Sequence, residues 1–356
     1  MKRLLATVAA IMFLLGLSAP LAFADAINAQ PVAQDAAADE AAAYKAWYDA
    51  YTAKDLPKEI ELGKAFIEKF PSSKNADYVK KDIVRVRSLL LNQAVQAKNT
   101  PEIIRIGKEA MAADPESVDY PYFLASQLRS LDTNFQYATD TAQFTQTAMR
   151  MIEAGKKPTI VKDFNDKQVL AYFHDALASI DEHNKDTDKA LEHYEHATML
   201  DPTNARYFFN CGRLHQGRYA TAAAEYQKLP EADRTAPEPK PEVKAALDKV
   251  NAEADGVINC WARFLGLPKN DYPADVKQKV QTALTDLYKY RNNNSDAGLQ
   301  KLIDDNKASA TPVKMTPPVE QKPPTAEQKP ADPTTAKPGN GQPAAAAKSS
   351  AKKPRM

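Results

Sequence analysis

Few residues in this chain have the types and spacing to do chemistry. Its two cysteines are Cys211 and Cys260. In an oxidising compartment they can close a disulfide, and left apart each is a small apolar side chain. Five histidines fall in one stretch: His174, His183, His193, His196 and His215. His193 and His196 are three apart, so on a helix they share a face at a chelating spacing. They also flank Tyr194, a packing position, which predicts that they point to solvent. No metal and no cofactor is therefore assigned. HExxH, CxxC, GxSxG and phosphate-cradling glycine loops do not occur in the sequence. Carboxylates are plentiful, as on any solvated helical surface, and no pair of them is singled out as an acid couple. The chain is read as not an enzyme, with a helical hydrolase kept as a remote alternative.

The elements that must position these residues are helices. Apolar residues recur at three- and four-residue intervals, as in Val276, Val280, Ala283, Leu284 and Leu287, or Tyr44, Trp47, Tyr48 and Tyr51. Runs of alternating β-branched residues are missing and glycine is scarce. Thr100 before Pro101 predicts a helix start, and Ser295-Asp296 predicts a cap on a final short helix. The fold class is all-α.

The helices also repeat. Ala190, Tyr194, Ala197 and Pro202 have the same spacing as Ile103, Gly107, Ala110 and Pro115, and a copy one residue shorter runs from Ile60 to Pro71. The closing prolines lie 44 and then 87 residues apart, close to one period and two. The missing unit falls between 118 and 155, with Tyr137, Thr141, Phe144 and Ala148 on its second helix. After Pro202, Tyr207, Phe208, Cys211 and Gly212 begin another unit, and Tyr219, Ala222 and Tyr226 continue into a shortened second helix. These residues resemble the tetratricopeptide repeat, whose second helix carries a small residue, an aromatic, an alanine and a terminal proline at those intervals. The resemblance covers about residues 41 to 229, with a period longer than is usual for that family. It implies a right-handed α-solenoid of antiparallel helix pairs, each pair covering the apolar face of the one before. It also implies that a protein or peptide partner lies along the first helices, at Tyr172, Asp175 and Ser179 of one unit and Arg206, Phe209 and Arg213 of the next. Cys211 falls at a buried first-helix position. It either packs as a free thiol or reaches Cys260 on the following helical element.

The two ends differ from this body. Lys2 and Arg3, the uncharged apolar run Leu4 to Leu17, and Ala22-Phe23-Ala24 form a secretory signal with cleavage expected after Ala24. The mature chain is expected in the periplasm or secreted, without a membrane span. From Lys307 to Met356 there are ten prolines and no aromatic residue, which predicts a disordered tail. That tail carries +6 and the first 24 residues +2. The formal total of +1 therefore leaves −7 for residues 25 to 306. An acidic body argues against nucleic acid as a partner. The basic tail could touch peptidoglycan or another anionic surface. The expected order is signal 1–24, flexible linker 25–40, repeats 41–229, loop 230–241, helical cap 242–306 and tail 307–356. The function that follows is a scaffold for a protein partner, with envelope assembly as its expected setting. The alternative is a cell-wall-associated protein acting through its tail.

Overall fold

A computed structural model describes residues 29–316, with side chains from residue 37 onward. The signal, its cleavage site and most of the basic tail lie outside the described residues. Among the described residues there are thirteen helices and no strand. No helix among them is long and apolar enough to cross a membrane. The chain divides into two compact units, one through Gln93 and one from Ala94.

The first unit contains α1 (Ala29–Ala53), α2 (Leu56–Lys69) and most of α3 (Ala76–Gln96). Trp47, Phe66, Val79 and Ile83 form its core, with Tyr44, Tyr51 and Ile60 packed around them. The linker expected over 25–40 is corrected here. From Ala29 the chain is already helical, because an alanine-rich run of strong helix formers continues without a break into the aromatic stripe of α1.

The second unit runs from α4 (Thr100–Ala113) through α5 (Asp119–Leu131), α6 (Ala138–Glu153), α7 (Asp166–His183), α8 (Thr187–Leu200), α9 (Ala205–Gln227), α10 (Glu231–Arg234), α11 (Pro241–Gly266) and α12 (Ala274–Arg291) to α13 (Leu299–Ala308). Its largest core gathers Phe208, Trp261, Phe264, Ile258 and Leu284 from α9, α11 and α12.

Two turns recur along the chain. Lys54, Lys98 and Lys185 each have positive φ, at 58, 53 and 63°. The next residue, Asp55, Asn99 or Asp186, caps a helix by accepting from the backbone N–H three residues on. The backbone bonds around the three lysines are also the same, from the lysine N–H to the carbonyl three back and from the cap N–H to the carbonyl five back. At the far end of each following helix, Phe70, Asp114 and Asp201 share one non-helical conformation, with ψ of 60, 78 and 84°, just before Pro71, Pro115 and Pro202. Proline cannot continue the helix, and it steers the residue ahead of it out of the helical region.

Several sequence expectations are corrected. The hydroxyl of Thr100 does not cap α4: Asn99 does, and Thr100 lies in the first turn. The last helix begins at Leu299 behind Gly298, with no cap from Ser295 or Asp296. No turn separates Gly212 from Tyr219. Between them only Gly217 is a poor helix former, so α9 continues as one 23-residue helix. Its partner is α11, and the two run antiparallel. Phe209 meets Trp261, Cys211 meets Cys260, His215 meets Glu253, and Glu225 meets Lys249. The loop over 230–241 contains the short α10.

The boundary expected at Lys307 falls inside α13, and residues 309–315 are held against the rest of the second unit. Val313 N–H donates to Asn306 Oδ1, Met315 N–H donates to Asn259 Oδ1, and Met315 is buried. Arg263, 2 % exposed, holds this segment in place. Its guanidinium donates to the carbonyls of Pro202, Asn306, Ser309 and Ala310. A buried cation is tolerable only when its donors are satisfied in this way.

Candidate functional site

Asp175 organises the residues singled out for partner binding. It sits in the middle of α7, where its side chain is 1 % exposed. Arg129, from the last turn of α5, donates to this carboxylate and to the carbonyl of Tyr172. The Arg129 guanidinium also lies 4.0 Å from the centre of the Tyr172 ring. From the first turn of α9, Arg206 Nε donates to the other carboxylate oxygen at 3.2 Å. Two turns further along, Arg213 donates to Glu182, which accepts the Tyr194 hydroxyl at 2.8 Å on its other oxygen. Both α7–α9 ion pairs span 31 residues, so these two helices run parallel in one register.

The six sequence candidates divide accordingly. Tyr172, Ser179, Arg206 and Arg213 lie along the α7 and α9 edge with part of each side chain in solvent. Asp175 is buried and acts by fixing Arg206. Phe209 is a correction: it is covered, its ring packed on Phe264 at 5.5 Å and Tyr272 at 4.9 Å. The family register placed it in the groove, but α11 and the loop after it close over that side of α9.

Sequence reasoning missed Arg129, Glu182 and Tyr272. Arg129 stands on a helix without a family signature. The pairing of Glu182 with Arg213 follows from a 31-residue offset that no local pattern encodes. Burial pushes Tyr272 above the usual phenol range, with Arg206 and Arg213 close enough to oppose that shift. Burial also lowers Arg129 from the ordinary arginine value. A buried pair of this kind adds little net stability over an apolar replacement, but its geometry is exacting.

The histidines also need correction. His193 is not turned to solvent. Its Nδ1 lies 2.9 Å from Nδ1 of His174 across the α7–α8 contact, and its Nε2 lies 3.6 Å from Asp181. His196 stacks on His174 at 4.9 Å and is itself exposed. Burial, then the two neighbouring imidazoles, push His174 down to about 4. His193 is lowered too, mainly by burial. The pair is therefore neutral near pH 7, one imidazole donating to the other.

Cys211 and Cys260 are joined, with Cα atoms 6.0 Å apart. His215 stands one turn beyond Cys211. Its Nδ1 is 2.7 Å from Glu253 and its Nε2 3.4 Å from Glu195, and Arg218 Nε also donates to Glu253.

In the first unit, Glu59 and Asp82 are buried beside one another, and Arg85 bonds to both, at 2.9 and 2.6 Å. Burial, followed by the neighbouring Asp82, raises Glu59 to about 7. Glu59 Oε2 and Asp82 Oδ2 have no donor among the described residues, which suits a proton shared between the two carboxyls.

No protein-family model matches this chain, and the search of curated proteins found no match to it.

Proposed function

We propose that this chain is an exported helical-repeat scaffold, a right-handed solenoid similar to tetratricopeptide arrays, whose first-helix edge holds a segment of a partner protein. The repeat is supported by the two recurrent turns. The Lys54, Lys98 and Lys185 positions are spaced 44 and 87 residues apart, as are the closing prolines. The secretory pattern of residues 1 to 24 supports export.

The observation that carries the binding reading is the row Tyr172, Arg206 and Arg213. The Arg206 side chain is 41 % exposed, and its Nε is anchored on a buried carboxylate. Its terminal amino groups are then presented to an acidic or carbonyl-rich segment at little further entropic cost. Arginine and tyrosine are the side chains that most often dominate protein interfaces.

The test is a double variant, Arg206→Ala with Arg213→Ala. Affinity capture from the exported fraction should enrich a protein on the native chain that is lost on the variant. If the variant keeps its helical circular dichroism and captures the same proteins, the reading fails.

A further inference from the structure

We propose that Cys211, His215 and Cys260 form a binding site for a thiophilic divalent cation, zinc by its chemistry, that opens when the Cys211–Cys260 bond is reduced. One ligand atom from each of the three residues lies within 4.8 Å of the other two. Around a tetrahedral zinc, two thiolates and an imidazole nitrogen stand roughly 3.5 to 3.8 Å apart, from metal–ligand distances of about 2.3 and 2.0 Å. The two cysteine Cα atoms, 6.0 Å apart, can accommodate that separation by side-chain rotation.

The surroundings fit a built site. Cys211 and His215 are one turn apart on α9, so both project toward α11. Opposite them, Gly256 and Cys260 are one turn apart on α11. A Cβ on Gly256 would stand 2.4 Å from His215 Nδ1, so the imidazole reaches this place only because residue 256 has no side chain. Glu253 holds the ring and is itself held by Arg218. Ligating histidines characteristically have such a carboxylate on the nitrogen away from the metal. Glu195 approaches the other nitrogen. Binding displaces Glu195, the more distant and more exposed of the two, and leaves Glu253 to orient the ring. The displaced one, or water, completes the coordination.

The chemistry balances with a dithiol as reductant. The dithiol gives up two electrons and two protons to the Cys211–Cys260 bond and closes its own disulfide, leaving two thiols on the protein. The cation then replaces the two thiol protons, which are released to solvent.

The probe is cobalt(II), titrated into the full chain with and without prior anaerobic reduction by a dithiol. The reduced chain should bind one equivalent with a thiolate-to-cobalt charge-transfer band, which zinc abolishes by displacement. The oxidised chain should show no such band. Cys211→Ser should lose most of the band, and Glu253→Gln should weaken cobalt binding about tenfold. His215→Gln should weaken it by at least as much. Should reduction loosen the fold, one equivalent of zinc is expected to restore its melting transition. The proposal is overturned by a reduced chain without the charge-transfer band, by His215→Gln binding as tightly as native, or by a loosened fold that zinc does not restore.

Discussion

The indole of Trp261 lies against Gly212, where even a methyl group would stand 2.2 Å from its Cδ1. Trp261 has little room to yield. It is 1 % exposed, and its Nε1 donates to the carbonyl of Phe209 at 3.3 Å. Gly212→Ala should therefore destabilise the second unit, by about 1 to 3 kcal/mol for an overpacked core contact, and Gly212→Leu by more. An unchanged urea midpoint for either variant would mean that α9 and α11 are not packed this closely.

Removing one member of the Asp175 cluster leaves a buried charge behind. Asp175→Ala strands Arg129 without its carboxylate and should cost about 3 to 5 kcal/mol. Arg206→Ala, at the solvent edge, should cost less than a third as much, because Arg129 still satisfies the carboxylate. Denaturant unfolding of the two variants checks the order, and equal losses would refute this division of roles.

His174 makes stability depend on pH with a definite sign. Its folded value is depressed from 6.5 to about 4, so the unfolded chain binds the proton first as pH falls. The contribution is complete above 6.5 and is lost between 6.5 and 4. Allowing for solvent screening of a partly exposed ring, the loss is about 1 to 2 kcal/mol. His174→Asn should flatten this part of the stability profile, and an unchanged slope would rule His174 out as its source.

Glu59 acts in the opposite direction. Its folded value is raised from 4.5 to about 7, so the folded chain holds a proton that the unfolded chain has released. The stabilisation is present below 4.5 and is lost as pH rises through about 7. In Glu59→Gln the first unit should keep that stabilisation at pH 8. The relevant measurement is the melting temperature of native and variant chains at pH 5 and pH 8.

Two truncations test the C-terminal segment. Stopping after Thr316 keeps the bonds from Arg263 to Ser309 and Ala310 and from Met315 to Asn259, whereas stopping after Ala308 removes them. The shorter chain should be less stable than the longer by about 1 to 3 kcal/mol, the cost of leaving buried donors unsatisfied. Equal melting temperatures would show that these contacts contribute nothing.

The helices were legible because their signals are local. Ala190, Tyr194 and Ala197 are buried on α8 as their spacing requires, and Ile103 and Ala110 are buried on α4. What one helix presents to another was not legible. His193 belongs to the packing between α7 and α8 because of how far those helices are rotated about their axes, and the sequence gives no measure of that. The family register aligned Arg206 with Tyr172, but the observed offset aligns it with Asp175. The repeat period predicts a turn inside α9 where no residue favours one, and the helix runs through it as a single element. The lysine before each cap gives no sequence signal of its turn, since lysine is not a usual residue at positive φ.

Arg263 binds backbone carbonyls rather than carboxylates, and this determines which substitutions the joint around it can bear. Pro202, Asn306, Ser309 and Ala310 all contribute main-chain oxygen, which every amino acid carries. The side chains at 309 and 310 can drift without loosening the clasp, provided the backbone keeps its path. Position 263 has no such freedom. Lysine would offer three donors from a single point in place of a planar fork. Among natural variants of this chain, the joint should therefore show an invariant arginine facing two positions, 309 and 310, whose letters change freely, and an alignment would register only one side of those contacts.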